Sequence, residues 1–415
     1  MRRLVSDNRS TTMTSPHDQV EPTPLTWVEI SERALMANAR LLQKVAAGSK
    51  RSPITCVMVK GNGYGHGLIE ASRCFVKAGI DWLGVADIRE AQSLRSAGVQ
   101  APLYAVCHVA PNQVHAAVKL GLKLTVYDAQ TVQAASRAVH DLGRPCHLHL
   151  KLETGTNRQG LRHDQALQLA QEILDTPGLV LEGLSTHFAD IEDTTDHGFA
   201  KQQLARFQAG LNALRDLMSS KGEDPNQLMA HASNSAAVML WPEVSLDMVR
   251  FGIAAYGMWP SKETFLSAQQ LGRRPLDLQP AMTWKTVVAQ VREVPSGEWV
   301  GYGRTFQALR DSKIAILPIG YYDGYDRRFS SRSQVLIGGH KAPIAGRVAM
   351  NMVAVDVTDN PTVTQGDEVV LLGSQQAPDG SVSALHAEQL ARWIGTINYE
   401  VVTRINDRID RVLKD

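Results

Sequence analysis

The stretch "CVMVKGNGYGHG", Cys56–Gly67, runs four apolar residues into a lone lysine, and then crowds four glycines, an asparagine, a tyrosine and a histidine into seven positions. An apolar run bounded by turn residues reads as a buried strand. Lys60 is expected as its last residue. The glycines after it let the backbone pass close to something bulky held beside that lysine.

Working outward, the same rhythm repeats as far as Gly257. "ITCVMVK", "WLGVA", "APLYAV", "LKLTVYD", "CHLHLKL", "LEGLSTHF", "LMAHASN" and "MVRFGIAAYG" read as strands. Amphipathic stretches such as "DIREAQSLRSAG" and "DAQTVQAASRAVHDLG" separate them, with N-capping aspartates and helix-ending glycines. Eight strand–helix units in about two hundred residues predict a (β/α)8 barrel. A doubly wound sheet would place a G-x-G-x-x-G phosphate loop in its first turn, and "GNGYGHG" does not fit that pattern.

After "WPSKETFLSAQQLGRRPLDLQP" the pattern changes to short strands with turn signals, among them "TWKTVVAQVREV", "KIAILPIGY" and "MVAVDVT". They predict a smaller all-β domain. The expected layout is a disordered tail over residues 1–25, a first strand at 26–31 joining the β domain, the barrel over 32–272 and the β domain over 273–415. A chain of 415 residues exceeds the ~250–300 at which one core stops growing, in keeping with two domains.

Composition narrows the function. A formal charge of +1 gives no field for nucleic acid. No run of 18 apolar residues is present to span a membrane, and the N-terminal stretch has no apolar core of a signal peptide. Four cysteines without a C-x-x-C pair fit free thiols in a reducing compartment. A cytoplasmic enzyme is expected.

In such a barrel the chemistry sits at the C-terminal strand ends. Lys60 there is either a surface lysine or a nucleophile able to form an imine. Matching parts come from "ETGTNRQGLR" with Arg158, "STHFAD" with His187, "HASNSAA" with His231, Asn234 and Ser235, and "MVRFGIAAYG" with Arg250, Gly252 and Ile253. The last two follow strands seven and eight, where many barrels bind phosphate. An imine-forming lysine facing a phosphate cradle points to pyridoxal 5'-phosphate.

"VMVKGNGYGHG", "ETGTNRQGLR", "HASNSAA", "MVRFGIAAYG", "GYGRTF", "PIGYYDGY", "GRVAMNM" and "TINYEV" occur in the order seen in alanine racemases. The chain resembles that family from about Thr26 to its C-terminus. The resemblance implies a pyridoxal-phosphate barrel, a β domain, and a head-to-tail homodimer with shared active sites that interconverts L- and D-alanine by a two-base mechanism. By the motifs, Lys60 would carry the cofactor as an internal aldimine and serve the D-face. Tyr302 would be the L-face base, supplied by the other chain. Arg250 would bond the pyridine nitrogen, with His231 supporting it and His187 packed against the ring. Tyr64, Ser235, Gly252, Ile253 and Tyr399 would hold the phosphate. Arg158 would contact the ring hydroxyl and the substrate carboxylate, and Lys151 matches a lysine often carbamylated to balance that arginine. Tyr321 and Met350 would line the partner's side of the entrance.

Some positions depart from the family. Gly61 and Asn62 stand where alanine and aspartate are common, and Ala349 and Asn351 where cysteine and aspartate are frequent. These leave serine, or a broader set of amino acids, as alternative substrates. A non-catalytic carrier of the cofactor would lack the β domain and Tyr302. A decarboxylase would offer a cysteine from the β domain, whereas all four cysteines precede residue 150. "HLHLK" puts His147, His149 and Lys151 on one strand face. No further ligands follow in the order that a two-metal site needs, so no metal is expected and strand packing is the better account.

Overall fold

The computed structural model describes residues 24–48 and 52–415. Residues 1–23, most of the expected tail, lie outside the described residues. The chain begins with β1 (Thr26–Ser31), and the Ser31 hydroxyl then accepts the Ala34 N–H to start a helix over Glu32–Ala47. Leu35, Ala39, Leu42 and Ala46 recur at helical spacing and are buried.

Eight parallel strands follow: β2 (Ile54–Met58), β3 (Trp82–Val85), β4 (Leu103–Ala105), β5 (Leu122–Val126), β6 (Cys146–Lys151), β7 (Leu179–Ser185), β8 (Met229–His231) and β9 (Met248–Phe251). Each pairs with the next from β2 to β8, and β9 returns to pair with β2. The remaining gap, between β8 and β9, is bridged where Ala230 and Asp247 exchange hydrogen bonds of 3.1 and 2.8 Å. All eight strands coincide with the runs read from sequence. Nearly continuous apolar residues are required because both faces of a parallel sheet are covered.

The rest is β-rich. β10 (Met282–Val287), β15 (Gln334–Ile337), β16 (His340–Pro343), β18 (Glu368–Gln376), β19 (Val382–Leu385) and β20 (Asp410–Lys414) form one sheet with β1, which lies between β10 and β20. β11 (Gln290–Val294), β14 (Ser312–Leu317) and β17 (Val353–Asp356) form a second, and β12 (Trp299–Val300) pairs with β13 (Phe306–Gln307). After β19 a helix runs Ala387–Ile394.

Lys60 does not end its strand. β2 stops at Met58, and Gly61, Asn62, Gly63 and Tyr64 take φ values of 62°, 54°, 61° and 52°. They form a left-handed turn, in which Gly63 N–H donates to the Val59 carbonyl at 2.7 Å and Gly65 N–H to Gly61 at 2.9 Å. Each left-handed residue with a Cβ costs roughly 1–2 kcal/mol, a penalty that glycine escapes and asparagine tolerates. The alternation Gly-Asn-Gly therefore confines most of the strain to Tyr64.

Candidate active site

The left-handed turn is clamped from both domains. Glu90 accepts from Gly61 N–H and Ala86 N–H, each at 2.7 Å. Asn62 donates to Asp407 at 2.8 Å and accepts from Leu68 N–H at 2.8 Å, while Arg411 donates to the Gly65 carbonyl at 3.0 Å. A Cβ on Gly65 would stand 2.0 Å from the Val402 carbonyl oxygen, so only glycine allows the C-terminal segment to seat here. Lys60 is thus held at a fixed place in the barrel mouth.

It opens on a cavity of about 710 Å³. Of the residues expected in the site, Lys60, Tyr64, Lys151, Arg158, His187, Ser235, Arg250, Gly252 and Tyr399 line it. Ile253 is fully buried directly after Gly252 and is not on the wall. Tyr104, Cys107, Glu192 and Thr403 also line the cavity, and no motif singled them out. Tyr302, Tyr321 and Met350 are not brought to it. They lie exposed on the β domain, where Tyr302 is 73% accessible.

Those three are organised nonetheless. Gly320 lies so close to the Ala349 and Met350 carbonyls that a Cβ would approach both at 2.3 Å, and Tyr321 N–H donates to Ala349 at 3.0 Å. Tyr302 sits between Gly301 and Gly303, both at positive φ, with the Arg347 guanidinium packed against Gly303.

Inside the cavity the charges are lopsided. Lys60, Lys151, Arg158 and Arg250 face one carboxylate, Glu192. Burial, then the Arg250 and Arg158 charges, push the Lys151 ammonium well below its ordinary pKa. Arg250 is 7% exposed and heavily bonded. Its NH2 donates to the Thr186 carbonyl at 2.8 Å and the Ala232 carbonyl at 3.1 Å, and its NH1 lies 2.5 Å from His231 Nδ1. Burial lowers its pKa, yet with three such acceptors it remains a cation.

Elsewhere in the lining, Ser235 Oγ accepts Gly252 N–H at 2.9 Å, and a Cβ on Gly252 would meet the Tyr64 hydroxyl at 2.8 Å. Tyr64 stacks on Tyr256 with ring centroids 5.0 Å apart. Tyr399 donates to Glu192 at 2.9 Å, as does the Asn234 side-chain amide at 2.8 Å. Burial raises the pKa of both Tyr64 and Tyr399, and nearby Glu192 adds to it, so both hydroxyls stay protonated as donors.

A fixed lysine at a barrel mouth, beside a cation-rich cavity ringed by hydroxyl donors, defines a (β/α)8 lysine enzyme for anionic ligands. The comparisons make that class particular. Residues 30–260 match the family model "Alanine racemase, N-terminal domain" and residues 281–413 match "Alanine racemase, C-terminal domain". An alanine racemase of Symbiobacterium thermophilum is 38% identical over 386 residues, 93% of this chain and 96% of that protein. The solved alanine racemase of Clostridium difficile 630 superposes with a TM-score of 0.84 at 29% identity, covering 95% of this chain and 97% of that one. That of Bacillus anthracis, solved with bound L-Ala-P, gives 0.84 at 29% identity, covering 95% and 96%. The chain belongs to the alanine racemase family, and it is an isomerase that interconverts L- and D-alanine.

Proposed function

We propose that the cavity holds pyridoxal 5'-phosphate on Lys60 and that racemisation runs between Lys60 and Tyr302 of the partner subunit in a cytoplasmic homodimer. The observation that carries this reading is the gathering of Lys60, Arg250, Ser235 and Gly252 around one cavity, with the exposed Tyr302 left outside it. The residues present fit the cofactor. The Cβ-free approach at Gly252 and the hydroxyls of Tyr64, Ser235 and Tyr399 suit a phosphate, together with the Ile253 backbone. The cation-rich wall suits its charge.

When bound, the cofactor supplies an electron sink that acidifies the substrate's Cα–H. Arg250 would hold the ring nitrogen without giving up its own proton, which would weaken that sink and limit side reactions such as transamination. His187 would hold the ring. Lys60 would carry the cofactor and move a proton at the D-face, and Tyr302 of the partner subunit would move one at the L-face. Both faces need a base because the proton leaves one side and returns on the other. Arg158 would hold the ring hydroxyl and the substrate carboxylate, while Tyr321 and Met350 would line the partner's half of the entrance.

The depressed pKa of Lys151 supports its carbamylation. The neutral amine adds to CO2, forming an N–C bond and releasing one proton, and the carbamate balances Arg158 and Arg250. Borohydride reduction followed by peptide mapping tests the central assignment. The label is expected on Lys60, and a label on Lys151 or any other lysine would overturn it.

A further inference from the structure

Behind Arg250, the barrel interior holds a chain of side chains that the racemase chemistry does not touch. His231 Nε2 lies 2.9 Å from His149 Nδ1, and His149 Nε2 lies 2.9 Å from Glu182 Oε2. His149 and His231 are both fully buried. Glu182 Oε1 is further held by Lys123 at 2.5 Å, and His147 Nδ1 stands 3.3 Å from Oε1. Lys123 in turn sits 4.5 Å above the Trp82 ring, whose edge faces His149.

The direction of every hydrogen bond in this chain follows from its two ends. A guanidinium only donates, so His231 Nδ1 must present its lone pair to Arg250. The His231 proton is then on Nε2 and is given to His149 Nδ1, which must also be bare. His149 therefore carries its proton on Nε2 and gives it to Glu182, and an ionised carboxylate only accepts. No other assignment avoids a donor facing a donor. The electrostatic surroundings agree at each group. Burial opposes ionisation of Glu182, but its contacts with His147, His149 and Lys123 outweigh burial and hold it ionised. Burial lowers both imidazole pKa values, and for His149 that outweighs the pull of Glu182.

We propose that Glu182 and His149 are positioning residues for Arg250: a one-way relay, Arg250–His231–His149–Glu182, fixes both imidazoles as neutral Nε2–H tautomers and keeps a lone pair permanently aimed at the guanidinium. The consequence for catalysis rests on the reading that Arg250 bonds the cofactor's ring nitrogen. A guanidinium with a fixed acceptor behind it cannot swing, so its remaining N–H groups keep one direction. Sequence reading gave His149 only a packing role and did not single out Glu182, because the relay is assembled from four strands, β6 to β9. The irregular register of β6 against β7 at Leu148/His149 brings His149 opposite Gly183. A Cβ on Gly183 would stand 2.3 Å from His149 Nδ1, so the ring can occupy that place only because residue 183 is glycine.

Two measurements test the relay, and the first needs no cofactor. In the apoprotein, histidine 15N NMR should show His149 and His231 with protonated Nε2 and bare Nδ1 across neutral pH. His231 as an Nδ1–H tautomer, or as an imidazolium, would overturn the relay whether or not the cofactor assignment holds. The second compares Glu182→Gln, whose amide oxygen still accepts, with Glu182→Leu, which does not, in the holoenzyme. Outer partners of a ligating group typically contribute 10–100-fold. Glu182→Leu should lower kcat by about that much with little change in KM for alanine, and Glu182→Gln should lose only about threefold. Equal losses in the two folded variants, or a loss entirely in KM, would contradict positioning through Arg250. If the leucine variant does not fold, the wild-type tautomers and the glutamine variant still decide.

Discussion

The tyrosines of the barrel mouth and those of the β domain's exposed face are in opposite states. Tyr64 is 9% exposed and lines the cavity, and it stacks on the fully buried Tyr256. Tyr302, Tyr321 and Tyr322 are 73%, 42% and 53% exposed. Burial drives the pKa of Tyr64, Tyr256 and Tyr399 upward, so their hydroxyls can donate hydrogen bonds but cannot readily serve as bases. Tyr302 is exposed, yet within its own chain it lies off the cavity. On the proposed reading, one chain supplies a binding site and a single face of the chemistry, and the other face comes from the surface of the partner subunit.

The largest expected effect probes that division. General-base groups contribute about 10²–10⁴-fold, and Tyr302→Phe should reduce racemisation by that order. In heavy water the same variant should still exchange the α-proton of D-alanine through Lys60, with L-alanine far slower. Equal exchange of both enantiomers would show that one base or water serves both faces and would erase the contrast between the two regions.

A second prediction concerns stability, where the regions also differ. His66, His149, His187 and His231 are buried in the barrel with pKa values lowered chiefly by burial, His66 to about 4. His340 and His386 of the β domain are exposed. A buried histidine that stays neutral while its unfolded counterpart takes up a proton makes stability fall as pH drops below about 6.5. The loss is about 1.4 kcal/mol per pH unit for each such group. Denaturant titrations from pH 7 to pH 5 should show the barrel losing stability first. An unchanged midpoint would contradict neutral burial of these rings.

The smallest effect lies at the phosphate end. Glu192 is the one carboxylate among the residues lining the cavity, and burial raises its pKa even though Tyr399 donates to it. Beside a bound phosphate its charge is repulsive. Glu192→Gln keeps an acceptor for Tyr399 and removes the charge, so the apoprotein should bind pyridoxal phosphate about fivefold tighter at pH 8 in a spectroscopic titration. Weaker binding would show that the carboxylate organises Tyr399 more than it repels the ligand.

How much of this was legible in the sequence follows from the distances involved. The barrel strands were readable because a parallel sheet imposes nearly unbroken apolar runs, and Lys60, Arg158, His187 and Arg250 stood out as polar residues at or just beyond their ends. The left-handed turn was not readable as such: Gly-Asn-Gly-Tyr permits it, but the hydrogen bonds from Glu90, Asp407 and Arg411 that hold it come from distant segments. Glu182 was invisible for the same reason, since its partners lie on β5 and β6. β20 escaped because a strand of mostly exposed residues, Asp410–Lys414, carries no apolar alternation. Motif order could suggest Tyr302, whereas only the structure shows that its own chain leaves it outside the cavity.

That separation is most directly tested by complementation. Lys60→Ala and Tyr302→Phe homodimers should each be nearly inactive. In a mixed dimer one site carries both defects, and the other combines an intact Lys60 with an intact Tyr302 from its partner. With random assembly half the dimers are mixed, so co-expression should restore roughly a quarter of wild-type sites. Activity no higher than that of the separate variants, in a preparation shown to contain mixed dimers, would contradict a site built from two chains.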